Sequence, residues 1–393
     1  MFCDAGTCHQ AAVLLSTGNG HSCVVLKDGT IRCWGDNGYG ELGDLGSAAG
    51  TSDTPVIPGG TTGALSGVTA LSVGTYHTCA VESDGSVWCW GEDVSAQLGS
   101  MVTTQINHVP ATVTPTRVPS FPPSGLKAKA IGAGSGHTCA VLSDGTVWCW
   151  GSNYAGQLGA VSTMMINTNP VSYVPLKVNG LPAAATAVSA GYDESCAVLS
   201  DGTVWCWGAN VDGDLGNNAA GTQSMTPVKV SGLAGATAIA CSDESSFACA
   251  TCTAGVCCWG DDTTGQLGNN TSSTFSAVPV TPQGLSGAVT VAAGTEHACA
   301  TLPDGTAWCW GSNRFAELGS PTFNPFNGGN DTGSLVPAQV VSPGVGFTGI
   351  GAGGVNGCGL GADGSVWCWG TNDAGQLGNP ISSTNTPVQV TGW

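Results

Sequence analysis

Lysine and arginine are nearly missing from this chain of 393 residues, with 8 of them against 26 aspartates and glutamates and a formal net charge of −18. Such a chain repels phosphate backbones and anionic lipid, so nucleic acid and membrane surfaces are excluded as direct partners. The basic residues are Lys27, Arg32, Arg117, Lys127, Lys129, Lys177, Lys229 and Arg314, and only Lys127 and Lys129 lie together. Charge of either sign is scarce, at 9%, against about a quarter in an average soluble domain. No apolar run reaches the roughly 20 residues that a membrane-spanning helix needs, so direct membrane insertion is not expected. No signal peptide is legible at Met1-Phe2-Cys3; the expectation is that any export signal has been removed or never existed.

Catalytic signatures are also lacking. There is no Gly-x-Ser-x-Gly elbow, phosphate-binding loop or His-Glu-x-x-His helix. Gly38-x-Gly40-x-x-Gly43 matches a dinucleotide fingerprint in form. That fingerprint needs a following helix to offer its N-terminus to a pyrophosphate, and Asp-Leu-Gly-Ser-Ala-Ala-Gly follows instead. The expectation is a protein that is no enzyme and holds no cofactor and no metal.

What is present in quantity is glycine, at 62 residues, with 13 tryptophans and 19 cysteines. The pair Trp-Gly recurs at Trp34, Trp90, Trp150, Trp207, Trp259, Trp310 and Trp369, at spacings of 51 to 60 residues. Seven units therefore fill the chain, at about 11–66, 67–126, 127–183, 184–234, 235–286, 287–345 and 346–393, behind a cysteine-containing segment 1–10. Each unit has four short apolar segments. The first is rich in small residues and ends near Gly, as in Val68 to Gly74. The second follows Gly-x-x-His, as in His137 to Leu142, and the third reads Thr146-Val-Trp-Cys-Trp150. The fourth is led by Pro, as in Thr226-Pro-Val-Lys-Val230, and Gly-Gln-Leu-Gly or a variant precedes it.

These segments run 5–8 residues, favour Val, Ile, Thr and Trp, and end at Gly, Pro, Asn or Asp, which predicts strands. The turn between the second and third, such as Lys27-Asp28-Gly29, is a three-residue loop whose glycine takes a left-handed conformation. Four antiparallel strands repeated seven times predict an all-β, seven-bladed β-propeller. Both faces of a blade are then covered, which accounts for the missing charge. Trp88 and Trp90, two apart, share one face and meet a neighbouring blade. A linear solenoid is disfavoured because neither terminal unit resembles a polar cap.

The hairpin register sets cysteines opposite each other in six units. The pairs are Cys23 with Cys33, Cys79 with Cys89, Cys139 with Cys149, Cys196 with Cys206, Cys299 with Cys309 and Cys358 with Cys368. At a non-hydrogen-bonded site their Cα atoms stand ~4.5 Å apart, within reach of a disulfide. Six cross-strand disulfides and an oxidising compartment are expected, the alternative being reduced thiols in the core. Unit five is irregular. There Cys252 with Cys257 and Cys249 with Cys258 form candidate pairs, and the same four residues form a zinc alternative without the usual second spacing. Cys3 and Cys8 could close a small loop, and Cys241 is the candidate odd thiol.

The run Gly134 to Gly159 carries Gly-x-x-His-Thr-Cys-Ala-Val-Leu-x-Asp-Gly-x-Val-Trp-Cys-Trp-Gly-x-Asn-x-x-Gly-Gln-Leu-Gly. It resembles the regulator-of-chromosome-condensation repeat family, over about residues 11–393. The resemblance implies a seven-bladed propeller closed by strands from both termini. It implies no single function, since that fold hosts an exchange factor, a light receptor and many secreted bacterial proteins. The cysteine-bearing version is similar to the bacterial extracytoplasmic branch.

Two features remain for function. His21, His77, His137 and His297 hold one repeat position, with Glu194, Glu244 and Asn356 in the other units. Equivalent positions on seven blades lie on a wide circle, so a blade-to-blade hydrogen bond is expected there rather than a metal. Long insertions follow Gly-Gln-Leu-Gly at Asp44–Asp53, Ser100–Pro119, Ala160–Tyr173 and Ser320–Val336, and map to one face of the ring. Met101, Ile106, Met164, Met165, Ile166, Phe323 and Phe326 are the candidate partner-binding residues within them. The expected function is a non-enzymatic, extracytoplasmic (secreted or cell-surface) propeller that binds a protein or glycan partner. The alternatives are a subunit of a surface layer or fibre built from copies of itself, and an intracellular exchange-factor-like regulator.

Overall fold

The structure, a computed structural model, describes residues 2–4, 7–44, 50–60, 63–271, 273–322 and 333–392, with backbone alone at 2–4 and 7–9. It is a seven-bladed propeller of antiparallel four-stranded blades, and the described residues contain no helix. Blade one is Ala12–Thr17, His21–Leu26, Ile31–Asp36 and Thr51–Val56, hydrogen-bonded in chain order. Blade seven is Phe347–Ala352, Asn356–Gly361, Val366–Gly370 and Thr384–Gln389 in the same order. The first strand of every blade lines the axis and the fourth lies outermost. Blades two and three carry a fifth, outer strand each, Gln105–Ile106 and Met164–Ile166.

The expected closure by strands from both termini is not found. Every blade is made from one continuous stretch of chain, so no sheet mixes the two ends. Side chains and loops close the ring instead. Trp34 of blade one packs with Cys368, Leu377 and Val390 of blade seven. Its indole Nε1 donates to the Gln376 carbonyl at 3.0 Å, and the Ala12 amide donates to the Gly364 carbonyl at 2.9 Å.

That Trp34 contact is one of seven. Trp90, Trp150, Trp207, Trp259, Trp310 and Trp369 donate to the carbonyls of Glu41, Gln97, Gln157, Asp214, Gln266 and Glu317, at 2.7 to 2.9 Å. Each acceptor is the second residue of a Gly-Gln-Leu-Gly turn, or its variant, in the preceding blade. All seven indoles are fully buried. The wedge therefore buries a large apolar ring and satisfies its one polar atom, at about 1 kcal/mol net per hydrogen bond. Trp88 is the half-buried companion of Trp90 against blade one, on the same strand face.

The hairpins fold as their sequences require. Cys23 lies opposite Cys33 and Val25 opposite Ile31, with Gly29 at φ 81° in the turn. Residues near the axis must be small. A Cβ on Gly18 would collide with the carbonyl oxygen of Gly74 in the next blade. Outside the ring, Phe2–Asp4 pairs with Thr7–His9 and sets Cys3 opposite Cys8; the side chains of those two cysteines lie outside the described residues.

Candidate functional site: the loop face

The turns between strands one and two and the loops between strands three and four emerge on the same side of the ring. Contacts between them make this plain. The Gln157 amide donates to Asp193 of the next blade at 2.8 Å, and Tyr39 meets Tyr76 edge-on at 5.5 Å between ring centres. Each three-to-four loop is held by an Asn or Asp that accepts the amide of the turn leucine, as Asn153 does from Leu158 at 3.0 Å. Asp93 and Asp262 do the same for Leu98 and Leu267.

Charge is sorted between the two sides. The opposite side carries the Asp-Gly hairpins, where Arg32 neighbours Asp28, Arg117 and Lys127 neighbour Asp84, Lys177 neighbours Asp144 and Lys229 neighbours Asp201. With Lys27 and Lys129, that side takes every lysine and arginine but Arg314. The loop face presents Asp36, Glu92, Asp193, Asp212, Glu244, Asp261, Glu296 and Asp373, all at least partly exposed. Arg314 stands there beside Glu296, at 3.9 Å. Burial lifts the carboxyls of Glu92, Asp193 and Glu244 above their ordinary values, and burial with the Asp261 charge lifts Asp212.

Exposed apolar side chains stud the same face. Of the residues singled out from sequence, Met101 is 72% and Met165 57% exposed, Met164 is exposed and Ile166 half-buried. Ile106 corrects the expectation: it is only 7% exposed, tucked beside Gly40 of blade one while Asn107 donates to the Gly38 carbonyl at 2.8 Å. Its hairpin leans on the neighbouring blade, which turns that side chain inward. Phe323 and Phe326 lie outside the described residues. Sequence reading missed Tyr154 at 67%, Tyr192, Val211 and Phe315, all exposed. Their signal was their place in the repeat, beside Gly-Gln-Leu-Gly or inside Gly-x-x-His, the two turns that make this face.

The blade-to-blade hydrogen bond expected at the histidine position is present at three histidines, and the set of residues holding that position needs one correction. His21, His77 and His137 reach Thr78, Thr138 and Ser195 of the next blade through Nε2, each at 2.8 Å. His297 makes no such bond, since its counterpart in blade seven is Gly357, which has no hydroxyl. In blade five the position belongs to Phe247, opposite Gly260, and not to Glu244. The turn there is two residues longer, residues 242–246 against 134–136 in blade three, and it crosses the axis. Glu244 accepts from Asn19 at 2.6 Å and from Thr295 at 3.3 Å, and the Asp243 carbonyl accepts from Thr75 at 3.1 Å. This turn covers the loop-face mouth of a central pocket of about 220 Å³.

All six expected cysteine pairs are disulfides. Cys23 is bonded to Cys33, Cys79 to Cys89, Cys139 to Cys149, Cys196 to Cys206, Cys299 to Cys309 and Cys358 to Cys368. Their Cα atoms stand 4.1 to 4.2 Å apart, slightly closer than the ~4.5 Å expected for facing residues of this kind. These twelve side chains are closed, buried bridges inside the blades, so Cys89, Cys206 and Cys309 present no sulfur to the loop face any more than their partners do. Cys249 with Cys258 and Cys252 with Cys257 are also bonded, which replaces the zinc alternative. Among the described residues Cys241 is the free thiol; it is buried, and burial lifts its pKa well above the ordinary value. No cluster of described histidine, cysteine or carboxylate side chains could hold a metal ion.

Comparison with known proteins places these features. A family model described as the RCC1-like domain matches residues 4–321 and 112–393. The human E3 ubiquitin-protein ligase HERC2 is 30% identical over 360 residues, covering 89% of this chain but 7% of that protein. The Arabidopsis thaliana ultraviolet-B receptor UVR8 is 26% identical over 342 residues, covering 85% of this chain and 71% of the receptor. Among solved structures, human WBSCR16 superposes with a TM-score of 0.74 at 20% identity, covering 91% of this chain and 93% of the other. Yeast RCC1 (Prp20), solved bound to Kap60, gives 0.75 at 21% identity, with 98% and 86% covered. A further Prp20p structure from Saccharomyces cerevisiae is described with its binding to Gsp1p and histones.

Proposed function

The chain belongs to the RCC1-like domain family, and from that premise we propose that it is a non-enzymatic, extracytoplasmic propeller that binds a protein partner through its loop face. The carrying observation is the sorting of the bases, which leaves eight partly or fully exposed acids and one arginine beside Tyr154, Tyr192 and Phe315 on the loop face. Exposed apolar groups set among uniform charge are the usual composition of a docking surface. A neutral glycan would make no use of the charge, which favours a polypeptide. The yeast neighbour, described with Kap60, Gsp1p and histones as partners, supports the same choice. An assembly cross-linked through Cys241 loses support, because that thiol is buried.

The direct test is photo-cross-linking in the source cell. With Tyr154→benzoylphenylalanine, adducts to a partner are expected; with Asp201→benzoylphenylalanine, on the hairpin side, none. Adducts from position 201 alone would refute the loop-face reading. Eight disulfides among the described residues support an oxidising compartment. Alkylation of the unfolded, unreduced protein from its native source is expected to modify at most three of its 19 cysteines. Modification of nearly all of them would return the chain to a reducing compartment.

A further inference from the structure

Six of the seven hairpin ends are tied by an aspartate. Asp28, Asp84, Asp144, Asp201, Asp304 and Asp363 each accept the backbone N–H two residues on, at 2.7 to 3.0 Å. Blade five has no such residue. There Cys252 pairs in register with Gly255, so the loop is Thr253-Ala254 alone, and both are exposed. The tie is covalent instead, a disulfide between Cys252 and Cys257. Register makes Cys257 the counterpart of Trp148, so a sulfur stands where blade three places a half-buried indole.

This bridge differs from the other seven described. Each of those joins two cysteines at 0% exposure. Cys252 and Cys257 are both half-buried, at the rim of the core between blades four and five. Thiol–disulfide exchange starts when a thiolate touches a sulfur, so access decides which bridge reacts in the folded protein. Charge selects the same place. An attacking thiolate is an anion, and a chain of net charge −18 repels it. Residues 245–260 carry no charged side chain, nor do the linkers 231–238 and 281–289 that pack on this hairpin end. Every other hairpin end sets a carboxylate in the path.

We propose that the disulfide between Cys252 and Cys257 is a redox modification site, opened in the folded protein by a dithiol while the seven buried bridges stay closed. One thiolate of the dithiol attacks either sulfur, breaks the bond between them and forms a mixed disulfide. The second thiol of the dithiol then displaces the protein sulfur and closes its own disulfide. The bridge gains two electrons and two protons and becomes two thiols, and the dithiol is oxidised. The bond between Cys249 and Cys258 still holds the two strands, so release is confined to the hairpin end at residues 251–257. No aspartate stands there to hold the loop in its place. The site lies on the hairpin side and does not depend on what the loop face binds.

The test is timed exposure of the folded, full chain to dithiothreitol, quenched with N-ethylmaleimide and mapped by peptide mass. Cys252 and Cys257 are expected to label together, at least about tenfold faster than any cysteine of the seven buried bridges. Hydrogen exchange of residues 251–257 is expected to rise about tenfold on that reduction, while exchange in blade three stays unchanged. In the double variant Cys252→Ser, Cys257→Ser, exchange at the hairpin end should be fast before any dithiol is added and indifferent to it. A buried bridge that opens first or at the same rate, or early labels at Cys249 or Cys258, would overturn the site. Labelling of the pair without a rise in exchange would overturn the release of the hairpin end, as would a double variant that exchanges like the oxidised parent. If the double variant does not fold, the labelling and exchange of the parent decide alone.

Discussion

Blade three and blade five share an outer half and differ in the inner one. Both hold the tryptophan wedge, through Trp150 on Gln97 and Trp259 on Asp214, and both bond their hairpin cysteines in the same register. Toward the axis they part. Blade three has Ala133, the short turn 134–136 and His137, which bonds Ser195. Blade five has Cys241, the longer turn 242–246 and Phe247, and its Ala248 offers no hydroxyl to Glu194 of blade four, whose Oε1 stays unpartnered. The lesson is where the ring needs its residues. The wedge is the contact between every pair of neighbours and is repeated without exception. The inner turn can change so long as it stays over the axis, where blade five uses it to bridge blades one, two and six.

The largest expected effect that sharpens this contrast is in the disulfides. Replacing Cys139 and Cys149 by alanine together removes the one bridge of that hairpin, and a loss of about 2–3 kcal/mol is expected from the short loop it closes. The same replacement of Cys249 and Cys258 should cost less, because the bond between Cys252 and Cys257 still ties that hairpin. Denaturant midpoints of the two variants compare them directly. An equal loss would show that the second bridge adds nothing to blade five.

A smaller effect is expected with pH, and it sets the histidine blades against the buried acids. Burial holds His21, His77 and His137 down at about 3 and His297 at about 4. Between those values and 6.5 the unfolded chain binds more protons than the folded one, so their contribution rises with pH and is complete by about 6.5. Burial pushes Glu41 up to about 8 and Asp93, Asp214 and Asp243 to about 7. These acids keep protons in the folded state that the unfolded chain has lost, so their contribution is full at low pH and disappears as pH rises to 7–8. Above 6.5 only the acids still change. Stability is therefore expected to fall from pH 6.5 to 8, and a midpoint that stays flat or rises across that range would contradict the burial of these groups.

Much of the regular structure was legible before folding was considered. A period-two strand bounded by a glycine turn fixes which residues face each other, so the cysteine pairs could be read by counting from Asp-Gly. The histidine position was legible only where the turn kept its length. Counting from Cys241 as the turn glycine put Glu244 in the set; Ser242 is the counterpart of that glycine, and the two extra residues of blade five carry Glu244 over the axis and leave Phe247 in the histidine's place. Ile106 could not be placed for a related reason, since its apolar character suits an exposed contact and a buried one equally.

By itself the sequence determined the strands, the hairpin registers, the disulfide partners and the number of blades, because these depend on neighbours within about ten residues of one another. The tertiary structure alone decided how the ring closes, that residues 242–246 bridge distant blades, and that the bases, all but Arg314, take the hairpin side and leave the loop face acidic. Those outcomes bring together residues as far apart as Asn19 and Glu244. Local hydrogen bonding sets each blade, but only packing of all seven around one axis makes such residues neighbours.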